Sequence, residues 1–389
     1  MMAWWPVGLL CGIVGVILFV EQRAPLRPVF RWLPVPLWCY TLPMIAIAAG
    51  VLPAEHPAYA SLIRWLLPFA LASMLLGADL PAIMRMGPKV LVAAAAGAVG
   101  IVVGAPIAAW IFRQALPAEA WKGIGALAGT WTGGTMNLLA VRSILAAPDA
   151  VFTPLIVVDA MIAYSWMALL VAASSVESHL NRWLRATAPV TATDPTLSAH
   201  EQGSPQHHPT VTIGAALLCT TLALVLTLGA HICSAKLPIS GVVSSATGWV
   251  VLLVTTAALG LSLLPFMRQV GRHGNILGTP SLYLVLAATG AQARIGALWS
   301  TPVWLALGVV IVLLHGGVLL AVGRLLRIPL GVLATASQAN IGGVVSAPLV
   351  GAVYHEALVP VGLLLAVAGN ALGTYFGLLS ASLCHRFLS

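Results

Sequence analysis

Charge is what this sequence has least of. Only 7% of its 389 residues are Asp, Glu, Lys or Arg, and the acidic ones number 10. A chain that is 60% hydrophobic, with a mean hydropathy of +1.00, has more apolar surface than a water-soluble core of this length can hide. The alternation of barrel strands, in ~10-residue segments, is also missing. Apolar stretches instead recur near the roughly 20 residues that cross hydrocarbon as a helix. The expected fold class is an all-α polytopic membrane protein.

Other absences narrow the function. Cys11, Cys39, Cys219, Cys233 and Cys384 form no CxxC pair and have no His at ligand spacing, which argues against a disulfide scaffold and a zinc site. They read as small helix-packing residues. No HExxH, GxSxG or paired acidic motif occurs, and no GxxxxGK(S/T) loop, so neither an enzyme nor an ATP-driven pump is expected. The net charge of +8 lies largely in short loops, where basic residues hold topology, and implies no nucleic-acid partner. The opening "MMAWWPVGLLCGIVGVILFVEQR" lacks a basic residue ahead of its apolar run and a small-residue cleavage site. It reads as a retained first helix.

Between charge and Pro/Gly punctuation lie about twelve apolar segments, near 4–20, 36–52, 59–76, 90–112, 122–145, 151–174, 211–231, 244–264, 279–293, 302–323, 331–352 and 358–384. Residues 175–210 form the longest polar stretch, rich in Ser, Thr, Pro and His, and read as a flexible linker in which His207 and His208 are solvated. The linker separates a first repeat, 1–174 with an extra N-terminal helix, from a second, 211–389. "GADL" at 77–80 answers "GAQA" at 290–293, "TGGTMN" at 132–137 answers "NIGGVV" at 340–345, and Asp159 answers Asn370. The offsets all stay near 210 residues, as expected of a duplicated unit. Loop charge favours an inverted pair, with Arg23, Arg27, Arg31, Arg85, Lys89 and Arg142 sharing the inside with Arg268, Arg272, Arg324, Arg327 and Arg386. Six true crossings per half would instead make the copies parallel, so inversion needs one segment that does not cross or one crossing uncounted.

The segment "GTWTGGTMN" at 129–137 interrupts an apolar run with Thr130, Thr132, Gly133, Gly134, Thr135 and Asn137. Glycine lets backbone leave helical dihedrals, freeing peptide groups that lipid cannot satisfy, so such a break belongs where protein or a hydrated cavity meets it. Freed carbonyls with hydroxyls suit a cation, and a half-helix N-terminus suits an anion. "ASQANIGGVVSAP" at 336–348 repeats the device with Ser337, Gln338, Asn340, Gly342, Gly343 and Ser346. Close packing of small residues explains one such segment; two at matching positions point to a carrier's binding site. Asp159, a lone carboxylate in an apolar span, is open to three roles: sodium ligand, proton carrier or hydrogen-bonding strut. Asn370 at the matching place cannot titrate.

Weaker positions have blander readings. Asp79, near Arg85 and Lys89, is expected in an interfacial ion pair, with Gln292 as its counterpart. His315 is expected to bond a neighbouring helix in preference to relaying protons. Trp4, Trp5, Trp32, Trp38, Trp65, Trp121 and Trp299 fall near span ends, as interfacial belts require. Arg113, Lys122, Arg142, Arg324 and Arg327 read as snorkelling anchors more readily than as anion guides.

"GTWTGGTMNLLAV", "VVDAMIAYSWMALL", "ASQANIGGVVSAPLV" and "LVPVGLLLAVAGNALGTYFG" together resemble the YjcL-like membrane family, known as domain of unknown function 819. That family is grouped by similarity with the cation:proton antiporter and anion transporter superfamily, which includes bile-acid-type sodium symporters. The resemblance implies a panel domain and a core domain with two crossed, unwound helices. By that analogy Thr132, Thr135 and Asn137 with Ser337, Asn340 and Ser346 line the crossing, Asp159 supplies the charge, and sodium would sit near Thr135, Asn137, Asp159 and Asn340. A proline commonly follows the second glycine pair in that family. Here Val344 and Val345 stand there and Pro348 comes later, which leaves the exact place of the second break to the structure.

The expected function is secondary active transport, sodium-coupled symport of a small organic anion, amino acid or short peptide by elevator or rocking alternating access. A cation/proton antiporter using Asp159 and a non-transporting scaffold or sensor are the alternatives. No cofactor is expected beyond sodium or a proton as coupling ion. The expected partners are a small-molecule substrate and the lipid bilayer, with a homodimer as the oligomer considered, in a bacterial inner (plasma) membrane.

Overall fold

Where hydropathy is uniformly high and acids are absent, each apolar run closes its own backbone hydrogen bonds as helix. A computed structural model of the chain describes residues 4–23, 30, 35–84, 86–186, 213–239, 243, 245–293 and 295–388. All twelve apolar segments are helical: α1 (Trp5–Glu21), α2 (Val35–Ala48), α3 (Pro57–Leu75), the short α4 (Leu80–Met84), α5 (Pro88–Phe112), α6 (Ala120–Gly133), α7 (Thr135–Leu145), α8 (Asp149–Ala173), α9 (Glu177–Leu184), α10 (Ile213–Ser234), α11 (Ala246–Ser262), α12 (Pro265–Gly271), α13 (Asn275–Gly290), α14 (Thr301–Leu326), α15 (Leu330–Ile341), α16 (Gly343–Tyr354) and α17 (Leu358–Leu388). Two 3-10 turns, Ser174–Val176 and Ile295–Ser300, complete the described elements.

Among the described residues six helices are long and apolar enough to cross a membrane, or seven if a bent pair counts as one span. This is an integral membrane protein. The number falls below the about twelve apolar segments read from the sequence because α1 and α2 are short and two of the segments are divided at glycines. The bent pair is α11 and α12, turned by 117° ahead of Pro265, whose missing N–H and fixed φ suit a new helix start. Arg27, Arg31, Trp32, Arg85, His207 and His208 lie outside the described residues. The stretch read as a flexible linker is helical at its start: α9 occupies Glu177–Leu184.

The chain forms two compact units, and each draws on both sequence halves. Unit 1 comprises 1–77, 142–160 and 211–304; unit 2 comprises 78–141, 161–210 and 305–389. In unit 1, α13 packs on α2 and α3, and α3 also carries α10 and α11. Small residues permit the approach: a methyl at Gly278 would stand 2.8 Å from Met74 Cγ. The Tyr40 hydroxyl donates to Thr153 Oγ1 at 2.9 Å, so this buried phenol has the partner its polarity requires. Ser245 caps α11, accepting from Gly248 N–H at 2.9 Å while donating to the Ser143 carbonyl at 3.0 Å.

In unit 2, α17 is a 31-residue spine against which α5, α6, α15 and α16 pack. Gly125, Gly129 and Gly133 on α6 meet Gly377, Gly373 and Gly369 on α17, two four-residue glycine series running antiparallel. A methyl at Gly373 would stand 2.7 Å from the Gly133 Cα and 2.8 Å from the Gly129 carbonyl oxygen, so backbone lies on backbone. Helices in lipid gain little from apolar burial against one another, and close van der Waals contact of this kind holds them together. A cluster including Val90, Leu184, Leu319, Leu333 and Leu365 fills another face of the unit.

Candidate functional site

Both glycine pairs interrupt helices, and both do so in unit 2. α6 ends at Gly133 and α7 begins at Thr135, with Gly134 between them at φ +78°. α15 ends at Ile341 and α16 begins at Gly343, itself at φ +73°, so the second break falls at the glycines and ahead of Pro348. In each pair the second glycine takes a positive φ that side chains of L residues rarely adopt. Gly134 N–H still reaches the Thr130 carbonyl at 2.5 Å and Gly342 N–H the Gln338 carbonyl at 2.7 Å. The leading halves α6 and α15 pack on one another and on α5.

The polar side chains expected at the crossing divide into three groups. At the first break they hold structure together. Thr132, 1% exposed, bonds back to the Ala128 carbonyl at 2.8 Å. Asn137 donates to the Gly133 carbonyl at 2.5 Å and the Asn370 carbonyl at 3.2 Å, and accepts from the Thr374 hydroxyl at 2.6 Å. Both amide hydrogens and the amide oxygen are thereby engaged, which makes Asn137 a clasp between the break and α17. Thr135 opens α7 and is half-buried. The Asn370 side-chain oxygen lies 3.1 Å from where a methyl on Gly134 would stand.

On α15, Ser337 and Asn340 are drawn toward other helices. Ser337 Oγ is 2.8 Å from His315 Nε2 and accepts from the Trp166 indole N–H at 2.8 Å, while Asn340 donates to the Ala94 carbonyl on α5 at 3.2 Å. His315 thus bonds neighbouring helices, as expected of a buried histidine, its other nitrogen lying 2.8 Å from the Gly97 carbonyl.

Gln338 and Ser346 bracket the second break, and Gln338 has capacity to spare. Gln338 Nε2 donates to Ser346 Oγ at 2.9 Å across the Gly342–Gly343 step, and Gln338 Oε1, on a side chain 1% exposed, has no hydrogen-bond partner. Turning the amide over exchanges the two atoms but leaves one unpaired either way. A buried amide group without a partner costs about 1–3 kcal/mol, a cost that proteins seldom carry without use. Neither sequence spacing nor residue type singles out Gln338 from its neighbours; its unpaired oxygen does.

Asp159 does not fall in the unit that holds the breaks. It is half-buried on the first part of α8, which belongs to unit 1. Unit 1 also carries a cavity of about 630 Å³ lined by Glu55, His56, Asp149 and Gln292 among others. Gln292 there bonds its own helix at Ala288, and Asp79 accepts from Ala82 N–H at 3.1 Å to start α4. The flanking cations have local partners: Lys122 pairs with Glu119, Arg142 with Asp149, Arg324 donates to the Trp183 carbonyl, and Arg113 lies over Trp110. No group of three or more His, Cys, Asp or Glu side chains is placed to hold a metal among the described residues.

A comparison with curated proteins finds no match. A family model covers residues 8–387, nearly the whole chain with both breaks inside it, and by that match the protein belongs to the family described as Protein of unknown function (DUF819).

Proposed function

We propose that this protein is a secondary active transporter whose solute and coupling cation engage unit 2 at its two broken helices. One observation carries the reading: a buried amide left half-satisfied at the second break, on a helix interrupted at a glycine pair that has a counterpart 209 residues earlier in the same unit. Interrupted helices at corresponding places of two repeats are how carriers expose backbone groups to a solute at mid-membrane. The matching positive-φ glycines, Gly134 and Gly343, favour the duplicated-unit reading.

The chemistry on offer is neutral. Amide oxygen, hydroxyl and unwound carbonyls suit a sodium ion or a donor-bearing solute, and the N-terminus of α16 suits a carboxylate. A small organic anion, an amino acid or a short peptide fits that set. Both breaks lie in one compact unit, the composition expected of a core that moves by an elevator or rocking step. The location proposed is a bacterial inner membrane.

The test is thermal stability of the purified protein in sodium, lithium and potassium and across pH, then in solutes added to the stabilising condition, followed by flux in vesicles. A ligand that binds the native state raises stability by RT ln(1 + [L]/Kd), about 2.7 kcal/mol at a hundredfold excess over Kd. A selective shift that disappears in Gln338→Leu places the site. Stability and flux indifferent to every ion, to pH and to solute would overturn the carrier reading.

A further inference from the structure

Outside the two breaks, unit 2 buries one imidazole completely among its described residues, that of His315. Its side chain is 0% exposed in the middle of α14, a helix otherwise apolar from Thr301 to Gly323. Each acidic residue of unit 2, namely Asp79, Glu119, Glu177, Asp194, Glu201 and Glu356, lies outside the long apolar helices in sequence. Among the described residues of that unit, His315 is the histidine buried mid-helix in a long apolar helix; His179 lies on the short α9, His355 just past α16 and His385 in the exposed last turn of α17.

Its partners define its proton. Nδ1 faces the Gly97 carbonyl at 2.8 Å, an acceptor only, so Nδ1 carries hydrogen. Nε2 of the neutral ring is then an acceptor and takes the Ser337 O–H at 2.8 Å, while Ser337 Oγ takes the Trp166 N–H at 2.8 Å. Every group in the chain Trp166, Ser337, His315, Gly97 is satisfied in this neutral form. A proton added at Nε2 changes one link. The imidazolium must donate to Ser337 Oγ, which already accepts from Trp166; both lone pairs fill, and the hydroxyl hydrogen has to turn elsewhere. The available acceptor is the Leu333 carbonyl one turn back, the bond that Thr335 makes to Gly331 on the same helix at 2.7 Å. Back-bonding of this kind bends helices, and here it would act on α15 one residue before Gln338.

Resting on the carrier reading above, we propose that His315 is a proton-binding site of unit 2 and that Ser337 passes its protonation state to the second broken helix. The coupling ion is then a proton, taken up at Nε2 from water when α15 withdraws from α14; the arrangement seen here is the unloaded, neutral one. The groups facing the ring bring no countercharge: α5 offers the Gly97 carbonyl and Gly100 backbone, α8 the Trp166 indole at 6.1 Å, and α15 the Ser337 hydroxyl. The titratable residues on those elements are Lys89 in the first turn of α5, Tyr164 and, in the unit 1 portion, Asp149 and Asp159 on α8, and Arg324 at the end of α14; α15 has none. A bare imidazolium there is costly, which suits an ion that must be released.

Trp166 supplies the probe, since an imidazolium beside an indole quenches its fluorescence. The emission of the full chain minus that of Trp166→Phe should fall as pH is lowered over about pH 8 to 4, and the fall should vanish in His315→Gln. Hydrogen exchange at 338–343, corrected for its intrinsic pH dependence, should follow the same midpoint in the wild type and lose it in Ser337→Ala. A flat Trp166 difference over the range in which the protein stays folded makes His315 a structural residue and overturns the site. Titration with pH-independent exchange at 338–343 overturns the transmission. Trp166→Phe and Ser337→Ala keep both arms readable if His315→Gln does not fold. Neither readout needs a solute, so failure here leaves the carrier reading standing, and failure of flux leaves this titration to be judged on its own.

Discussion

Thr374 donates its hydroxyl hydrogen to the Asn137 side-chain oxygen at 2.6 Å, joining α17 to the first break across 237 residues of sequence. Asn137 spends its other amide atoms on two carbonyls, so each partner is needed to keep the rest satisfied. Thr374→Val should lower stability by about 1–3 kcal/mol, the cost of an orphaned buried acceptor. Asn137→Asp should cost more, because a carboxylate placed against two carbonyls repels both. A double-mutant cycle read by thermal unfolding in detergent checks this: purely additive losses would mean the two groups do not interact.

The glycine contacts separate packing from propensity. Gly377 of α17 meets Gly125 backbone, whereas Gly317 of α14 has open space around it. Gly377→Ala should destabilise by about 1–3 kcal/mol through overpacking. Gly317→Ala should be neutral or stabilise by up to about 1 kcal/mol, since alanine favours helix. Equal effects in unfolding measurements would contradict the close crossing of α6 and α17.

At Gly343 the backbone is left-handed and no atom lies within 4 Å of where a methyl would stand. Any loss on substitution there is conformational. Gly343→Ala is expected to cost about 1–2 kcal/mol, and Gly343→Asn, which tolerates that region, less. Indifference of unfolding to both would place the second break somewhere other than this residue.

Asn181 accepts from Leu330 N–H at 2.8 Å, capping α15 from a helix that belongs to the polar connector. Asn181→Ala should cost about 1 kcal/mol and raise hydrogen exchange selectively in the first turn of α15. Exchange unchanged at Leu330 and its neighbours would show the cap to be idle.

How much of this was legible beforehand follows from what each feature depends on. The apolar segments and both breaks follow from local facts, apolar run length and paired glycines, and each segment falls on helix, whereas the short α4, α9 and α12 lie outside every segment read from the sequence. The series Gly125, Gly129, Gly133 and Gly369, Gly373, Gly377 is equally visible in the chain, but spacing names a packing face without naming its partner. Asn137 and Ser337 are read by residue type as ligands, yet their hydrogen bonds go to α17, α14 and α8, contacts that no local pattern encodes. Asn181 lies in a stretch whose composition resembles a linker, because a short helix that buries only Leu184 needs few apolar residues. The grouping of helices into two units is likewise a property of long-range contacts.

The sharpest test concerns Gln338 and Ser346, because it sets stability against function. Gln338→Leu alone strands the Ser346 hydroxyl, and Ser346→Ala alone strands both amide ends, so each single change is expected to be mildly destabilising or neutral. Changing both removes every polar atom of the pair, including the oxygen that has no partner. Replacing a hydrogen-bonded pair by apolar groups of similar shape is close to neutral in buried settings, and here it also relieves an unpaired acceptor. The double variant should therefore unfold at the wild-type temperature or above it. If the unpaired atom is retained for a ligand, the same variant loses any stabilisation that ions or solutes give the wild type, the trade expected where a binding site holds a group the fold alone would discard. A double variant that is clearly less stable than either single one would show that Gln338 is satisfied within the protein, and the second break would then have no polar group left to offer.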